Sequence, residues 1–262
     1  MTSTVQEIRN MLAQADAATF NVLERSLLAD QRKGVQQALA VARRRLQAQQ
    51  VEHERIERLY AYQRQLAQQR DAQVVVGLDE VGRGSIAGPL AVGAVVLPDD
   101  VPIEGLNDSK QVLPEKRREI AQAIKDVALA WTVQYIEPSV IDATGMTASL
   151  VMAFRRALQA IEAMGVQPDI VLLDGNPLRM DPREVNVVKG DTRCASIAAA
   201  SIIAKVERDD LMCAYAQQYP AYGWDECKGY ASPHHIAAIK EHGLTPLHRV
   251  SFCTSFMQES LF

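Results

Sequence analysis

The rhythm of apolar and polar positions changes near residue 74. Before it, residues 1–70 contain no proline and one glycine, Gly34, and Gln, Arg, Ala and Glu dominate. Such a composition has high helical propensity throughout. The pattern predicts short helices near 4–15 and 18–28, then a long helix from a cap at Asp30 to about Arg70. On the long helix Leu39, Leu46, Ile56, Leu59 and Leu66 form a thin, broken stripe. A helix so polar is solvent-exposed on most sides or rests lightly on a partner.

From residue 74 onward, β-branched runs take over. The run 74–79 reads as a buried strand. Gly82, Gly84, Gly88 and Pro89 mark a turn, and 90–97 reads as its hairpin partner. Pro114 opens a helix to about Leu129, and 130–136 is a third strand. Val151, Phe154, Leu158 and Ile161 recur at helical spacing, so 147–164 is an amphipathic helix ending at Gly165. Short strands at 170–174 and 185–188 follow, then a helix rich in Ala, Ser and Ile to about Gln218. A Gly/Tyr-rich loop, a helix over 233–241 and a tail complete the chain. Three early strands followed by strand–helix alternation predict a mixed α/β sheet flanked by helices rather than a doubly wound one. The predicted division is a helical extension over 1–72 and an α/β domain over 73–262 that closes with a helical segment.

The net charge of −4 by itself argues against a polyanion ligand, but its distribution changes that picture. Residues 1–70 hold 11 Lys+Arg against 7 Asp+Glu, and residues 71–262 hold 17 against 25. A basic arm joins an acidic body, and an acidic body binds a polyanion when divalent cations fill its carboxylate cluster. Arg43, Arg44 and Arg45 are a candidate phosphate contact, against the plainer reading of a solvated face. The four cysteines, Cys194, Cys213, Cys227 and Cys253, form no C-x-x-C pair, so neither a zinc site nor a disulfide framework is expected. The start of the chain lacks the basic and apolar regions of a signal peptide, and no apolar run spans a bilayer. The expectation is a cytoplasmic monomer.

The chemistry concentrates at strand ends. Asp79-Glu80, Asp174 and Asp191 end or follow three apolar strands, where an acid is costly unless solvated, paired or metal-bound. Adjacent strands would bring the four carboxylates together, and like charges so close force some to stay protonated. A divalent cation removes that conflict, and an all-oxygen site favours Mg²⁺ or Mn²⁺ over zinc. Such ions assist in-line phosphoryl displacement. Gly82-Arg83-Gly84 follows the first acids, where free amides and a guanidinium suit sugar and phosphate oxygens. Lys110, in Leu106-Asn107-Asp108-Ser109-Lys110, is a candidate phosphate contact. Lys228-Gly229-Tyr230 offers a cation and an aromatic plane. His248-Arg249 carries no assignment.

With these residues in place, the chain resembles bacterial ribonuclease HII, the type 2 ribonuclease H family. The matching stretches are VVGLDEVGRGSIAGPLAVGAVVLP (75–98), LNDSK (106–110), LLDGN (172–176), VKGD with SIAAASIIAKVERD (188–209), KGY (228–230) and HRVSF (248–252). Six separated blocks in the family's order are highly specific. The resemblance implies a ribonuclease H-like fold and Mg²⁺- or Mn²⁺-dependent hydrolysis of RNA in RNA–DNA hybrids. It implies cuts on the 5′ side of single ribonucleotides embedded in duplex DNA, leaving 3′-hydroxyl and 5′-phosphate ends, and a role in ribonucleotide removal. It implies that Asp79, Glu80, Asp174 and Asp191 bind metal and act in catalysis. Gly82, Arg83 and Gly84 would read the ribose 2′-hydroxyl, and Tyr230 would stack on the next sugar. The expected partners are hybrids and ribonucleotide-containing DNA, with no membrane. Residues 1–70 resemble the helical extension of longer members.

Two departures bear on substrate affinity. Cys227 stands where many members have histidine, and Ala231-Ser232-Pro233 replaces a commoner run that ends in Lys. The alternatives are another nuclease of the same fold, such as a type 1 ribonuclease H or a resolvase, or a binding module with relic acids. The Asp-Glu-x-Gly-Arg-Gly block argues against the other nucleases.

Overall fold

The structure, a computed structural model, describes residues 3–257; the end of the expected tail lies outside them. The chain divides into two compact units, residues 1–57 and 58–262. The division falls inside one helix, α3 (Lys33–Gln68), whereas the composition changes near residue 73.

The first unit comprises α1 (Val5–Gln14), α2 (Ala17–Leu27) and the leading part of α3. Thr4 and Glu7 form a reciprocal capping box on α1, and the Asp16 carboxylate accepts the Thr19 amide at the start of α2. These caps satisfy amides that have no partner inside the helix. Ile8, Leu12, Phe20, Val35, Leu39 and Ala42 form the core of this unit. Asp30 is not the cap of the long helix, which starts at Lys33. Its carboxylate instead accepts the Arg32 amide and pairs with the Arg32 guanidinium. Of the three arginines, Arg43 pairs with Glu24 and Arg45 donates to the Leu12 and Ala15 carbonyls, so both serve the unit's own fold. Arg44 is exposed.

The second unit holds a five-stranded sheet in the order β3-β2-β1-β4-β5. Its strands are β1 (Val75–Val81), β2 (Leu90–Val96), β3 (Ala130–Ile136), β4 (Ile170–Asp174) and β5 (Glu184–Val187). The β1–β2 and β2–β3 pairs are antiparallel, while β4 runs parallel to both β1 and β5. Helices α4 (Pro114–Val127), α5 (Pro138–Thr144), α6 (Met146–Ala163), α7 (Ala195–Gln218), α8 (Trp224–Cys227), α9 (Pro233–His242) and α10 (Val250–Met257) complete the unit. The expected mixed sheet is therefore present, flanked by helices. Of these helices, α5, α8 and α10 were not expected. None of the described helices is long and apolar enough to cross a membrane.

Strand alternation sends Val76, Leu78, Val171 and Leu173 to one face, under Phe154, Leu158 and Ile161 of α6. It sends Val75, Ile170 and Leu172 to the other, against Ile197 of α7. Helix α7 lies close because β1 and β2 offer glycine beneath it. A Cβ on Gly77 would stand 2.3 Å from the Ser196 backbone, and one on Gly93 2.4 Å from the Ala200 oxygen. The end of α3 belongs to this unit: the Gln63 side-chain oxygen accepts the Ser196 amide at 2.9 Å, and Tyr62 and Leu66 pack on the α7-side core.

Candidate active site

Asp79 and Asp174 are placed side by side by the register of the central strands. Leu78 pairs with Leu173 across the parallel β1–β4 junction, so the acids that follow emerge together at the carboxyl ends of these strands. In α/β sheets this is where ligands bind. By alternation both share the α7 face with Gly77 and Leu172, while Glu80 leaves β1 from the opposite face. Asp191 arrives through the turn after β5, in a short 3₁₀ segment (Gly190–Thr192) that leads into α7. One Asp174 oxygen accepts the Gly190 amide at 2.6 Å, which ties that turn to β4.

Electrostatics mark these residues as one site. Asp79 is 7% exposed, and burial, then the charges of Glu80 and Asp174, hold its carboxyl well above the usual range; the Ser201 hydroxyl pulls the other way. Glu80 is raised by burial and by Asp174, against the pull of Arg83 and Lys110. Asp191 is raised by burial, then by Asp174 and Asp108. Burial works against the charge of Lys110, yet Asp108, Asp79, Asp191 and Tyr230 outweigh it and raise its pKa. Lys110 is exposed and lies within electrostatic reach of the acids. Its loop is fixed from behind: Asp108 accepts the Lys110 amide, Arg117 donates to the Ser109 carbonyl at 2.8 Å, and Ser201 donates to the Ser109 hydroxyl.

The donor set fits a hard divalent cation. It is all oxygen, and mutual repulsion among buried and half-buried carboxylates is the conflict that a cation relieves. The side chains are not already closed around such an ion: among the described residues no three Asp, Glu, His or Cys groups form a ready ligand set. Asp79 turns one oxygen to the Glu80 amide and Asp174 one to the Gly190 amide. Glu80 lies 3.7 Å from Arg83.

Beside the acids, Gly82 and Gly84 differ. Gly82 is buried with φ +84°, and an added Cβ would meet the Arg208 Nε at 2.3 Å, whereas a Cβ on Gly84 would meet nothing within 4 Å. Gly84 and Arg83 are exposed. Tyr230 is 39% exposed, with its ring 5.7 Å from the Arg208 guanidinium. Its carbonyl is held by His235 Nδ1 at 2.9 Å. That bond makes Nδ1 the protonated nitrogen, so Nε2 accepts, from Trp224 Nε1 at 2.9 Å and from His248 Nε2 at 3.1 Å. His248 Nδ1 then accepts the Thr245 amide at 2.9 Å, and both imidazoles are neutral. The departures have local roles. Cys227 lies 3.7 Å from His235 Nδ1, and Ser232-Pro233 caps α9, with the Ser232 hydroxyl accepting the His235 amide.

The residues that sequence reasoning passed over are Ser109, Ser201, His235, Arg208 and Arg249. The available signal was a lone arginine within the apolar face of α7, and His248-Arg249 beside an apolar tail.

The ribonuclease H2 from Pyrococcus horikoshii superposes with a TM-score of 0.58 at 25% identity, over 71% of this chain and all of that one. The ribonuclease HII solved with PCNA from Archaeoglobus fulgidus gives 0.59 at 26% identity, over 68% and 94%. Fold and strand-end acids together define a ribonuclease H-like nuclease. The Ribonuclease HII family model matches residues 76–255, and the Ribonuclease HII N-terminal domain model matches residues 4–67. A Ribonuclease HII from Halalkalibacterium halodurans is 40% identical over 249 residues, covering 95% of this chain and 93% of that one. The chain belongs to the ribonuclease HII family. It is an enzyme, a ribonuclease H endonuclease acting on RNA–DNA hybrids, from a family that depends on divalent metal ions.

Proposed function

We propose that the enzyme cuts on the 5′ side of a single ribonucleotide embedded in duplex DNA, as well as within hybrids. The observation that carries this reading is the pairing of two features on one edge of the sheet. Buried Asp79 and the half-buried Glu80, Asp174 and Asp191 stand on the same side of the molecule as an exposed Gly84 and Tyr230. Asp79, Glu80, Asp174 and Asp191 would hold Mg²⁺ or Mn²⁺, which supplies charge neutralisation for an in-line displacement at phosphorus. Water adds to phosphorus, the bond to the upstream 3′-oxygen breaks, and that oxygen leaves with a proton. The products are a 3′-hydroxyl and a 5′-phosphate. Lys110 would meet the phosphate. The backbone at 82–84 and the Tyr230 ring would meet the ribose, whose 2′-hydroxyl distinguishes RNA from DNA.

The test is a cleavage map on a duplex with one ribonucleotide, run separately in Mg²⁺ and Mn²⁺. One cut, 5′ of the ribonucleotide, is expected. No cut there would favour a type 1 activity. Asp174→Asn is expected to abolish cleavage and leave hybrid binding largely intact, and full activity would overturn the metal assignment.

A sliding clamp is a proposed partner. The Archaeoglobus relative was solved with PCNA, and here residues 258–262 read Gln-Glu-Ser-Leu-Phe, a polar run closing on two large apolar side chains. Surface plasmon resonance against the bacterial clamp should detect binding that Leu261→Ala with Phe262→Ala removes, and equal binding by that variant would rule the segment out.

A further inference from the structure

We propose that Arg208 and Arg249 are positioning residues that set the preference for a lone ribonucleotide, by holding two substrate loops at one separation. The inference rests on the reading of Gly82, Arg83, Gly84 and Tyr230 given above. Both arginines are fully buried, at places far apart in the chain, and both reach into the loop between β1 and β2.

Arg208, on α7, donates from Nε to the Pro89 carbonyl at 2.9 Å and from Nη2 to Ser85 Oγ and the Ala87 carbonyl at 2.8 and 3.2 Å. Its Nη1 donates to the Lys228 carbonyl at 2.9 Å, so one guanidinium joins the 82–89 loop to the loop carrying Tyr230. Arg249 donates twice to the Gly88 carbonyl, at 3.1 and 2.9 Å, and once to that of Arg83 at 3.1 Å. Its own amide donates to the Ile86 carbonyl. The loops also meet directly, where the Gly229 carbonyl accepts the Ile86 and Ala87 amides. Gly229 is glycine of necessity, since a Cβ there would stand 2.3 Å from the Ala87 oxygen.

Neither guanidinium makes an ion pair with a described carboxylate. A buried cation with no carboxylate in ion-pair reach is costly; burial, then the charge of Arg208, pushes Arg249 down to about 9, against the pull of Tyr230 and Asp142. An apolar pair would fill the same volume without that cost. What it could not do is fix the direction of carbonyls at Arg83, Ala87, Gly88, Pro89 and Lys228. The planar fork of arginine does this with several bonds at once, and a lysine could keep only a fraction of them. The exposed tips of the two loops, Arg83-Gly84 and Tyr230, thereby inherit a fixed spacing. A continuous hybrid offers a 2′-hydroxyl at every step, so a loop displaced slightly still finds one. A lone ribonucleotide offers one, and tolerates no displacement.

The test uses the full chain and its Arg208→Lys and Arg249→Lys variants on two substrates, a continuous RNA–DNA hybrid and a duplex with one ribonucleotide. The ratio of kcat/KM, lone over continuous, should fall about tenfold or more, chiefly through KM on the lone substrate. A purely structural role would lower both substrates alike. A folded lysine variant with a ratio within about twofold of the parent overturns the inference. Should the lysine variants fail to fold, Ser85→Ala keeps both guanidiniums and removes the hydroxyl that joins Arg208 to the Gly82 carbonyl. It should lower the ratio about threefold, and an unchanged ratio is equally fatal. If the parent enzyme fails to cut at the lone ribonucleotide, the functional reading falls. If it cuts and the variants match it, this inference alone falls.

Discussion

Acid should loosen the Tyr230 loop through the paired imidazoles beneath it. His248 is 2% exposed, and burial, then the charge of His235, lowers it to about 4 from an ordinary 6.5. A depressed histidine contributes stability that is complete above 6.5 and is lost as pH falls through the window from 6.5 to about 4. A shift of that size corresponds to at most about 3 kcal/mol, with roughly 0.8 kcal/mol gone at pH 6 and about 2 kcal/mol at pH 5. The structural cause is specific. His248 Nδ1 already accepts the Thr245 amide, so a proton added there would face that donor. The carboxyls of Asp79, Glu80 and Asp191 are raised instead, and in metal-free protein they gain stability as pH falls. The histidine effect must therefore be read as a difference. His248→Gln keeps an N–H directed at His235 and removes the titrating ring, costing about 1–2 kcal/mol at pH 7. Urea unfolding at pH 7, 6 and 5 should show the parent losing roughly 2 kcal/mol more than the variant, so that the gap closes or reverses by pH 5. A gap constant with pH would refute the neutral-pair assignment.

Adding Mg²⁺ or Mn²⁺ at about ten times its dissociation constant should stabilise the parent by about 1.4 kcal/mol and leave Asp174→Asn unmoved; thermal melting reads this without any cleavage. Gly82→Ala forces a side chain into a left-handed conformation against Arg208 and should cost roughly 2–3 kcal/mol in urea unfolding. Gly84→Ala should cost less than about 0.5 kcal/mol while weakening binding of the lone-ribonucleotide duplex. Equal stability losses in the two glycine variants would remove the distinction between them. Residues 1–57 hold eight Lys+Arg against seven Asp+Glu, so their deletion should change the salt slope of binding by less than about one. Deleting residues 1–70 instead removes Gln63 and the buried Leu59 and Tyr60, and circular dichroism should show that protein unfolded or partly so.

Much of the sheet was legible because its strands are apolar runs bounded by Gly, Pro or acids. Helix α5 was not, since Pro138–Thr144 offers Val140 and Ile141 but no second turn of apolar spacing, and Gly145 ends it with φ +78°. The basic arm was misread in one respect: its excess charge sits in Arg58, Arg64 and Arg70, and the helix end that carries them packs into the second unit. The strand-end acids were visible as chemistry. Alternation alone parts Glu80 from Asp79, but which of the two faces lies under α7 follows from packing and was not legible. For Arg208 and Arg249 the sequence offered a position but not a role. The carbonyls they hold lie 119 and 166 residues away in the chain, and main-chain acceptors have no letter in a sequence.

The glycines under α7 make that helix a ruler. It begins four residues after Asp191, its fourth turn carries Arg208, and about 20 Å of helix separates Ala195 from Arg208. Gly77 and Gly93 press it so tightly to β1 and β2 that it cannot slide. The separation between the Asp191 turn and the Arg208 guanidinium is therefore written into one helix, not negotiated by loops. An inserted residue between Ala195 and Arg208 would turn everything beyond it by about 100°.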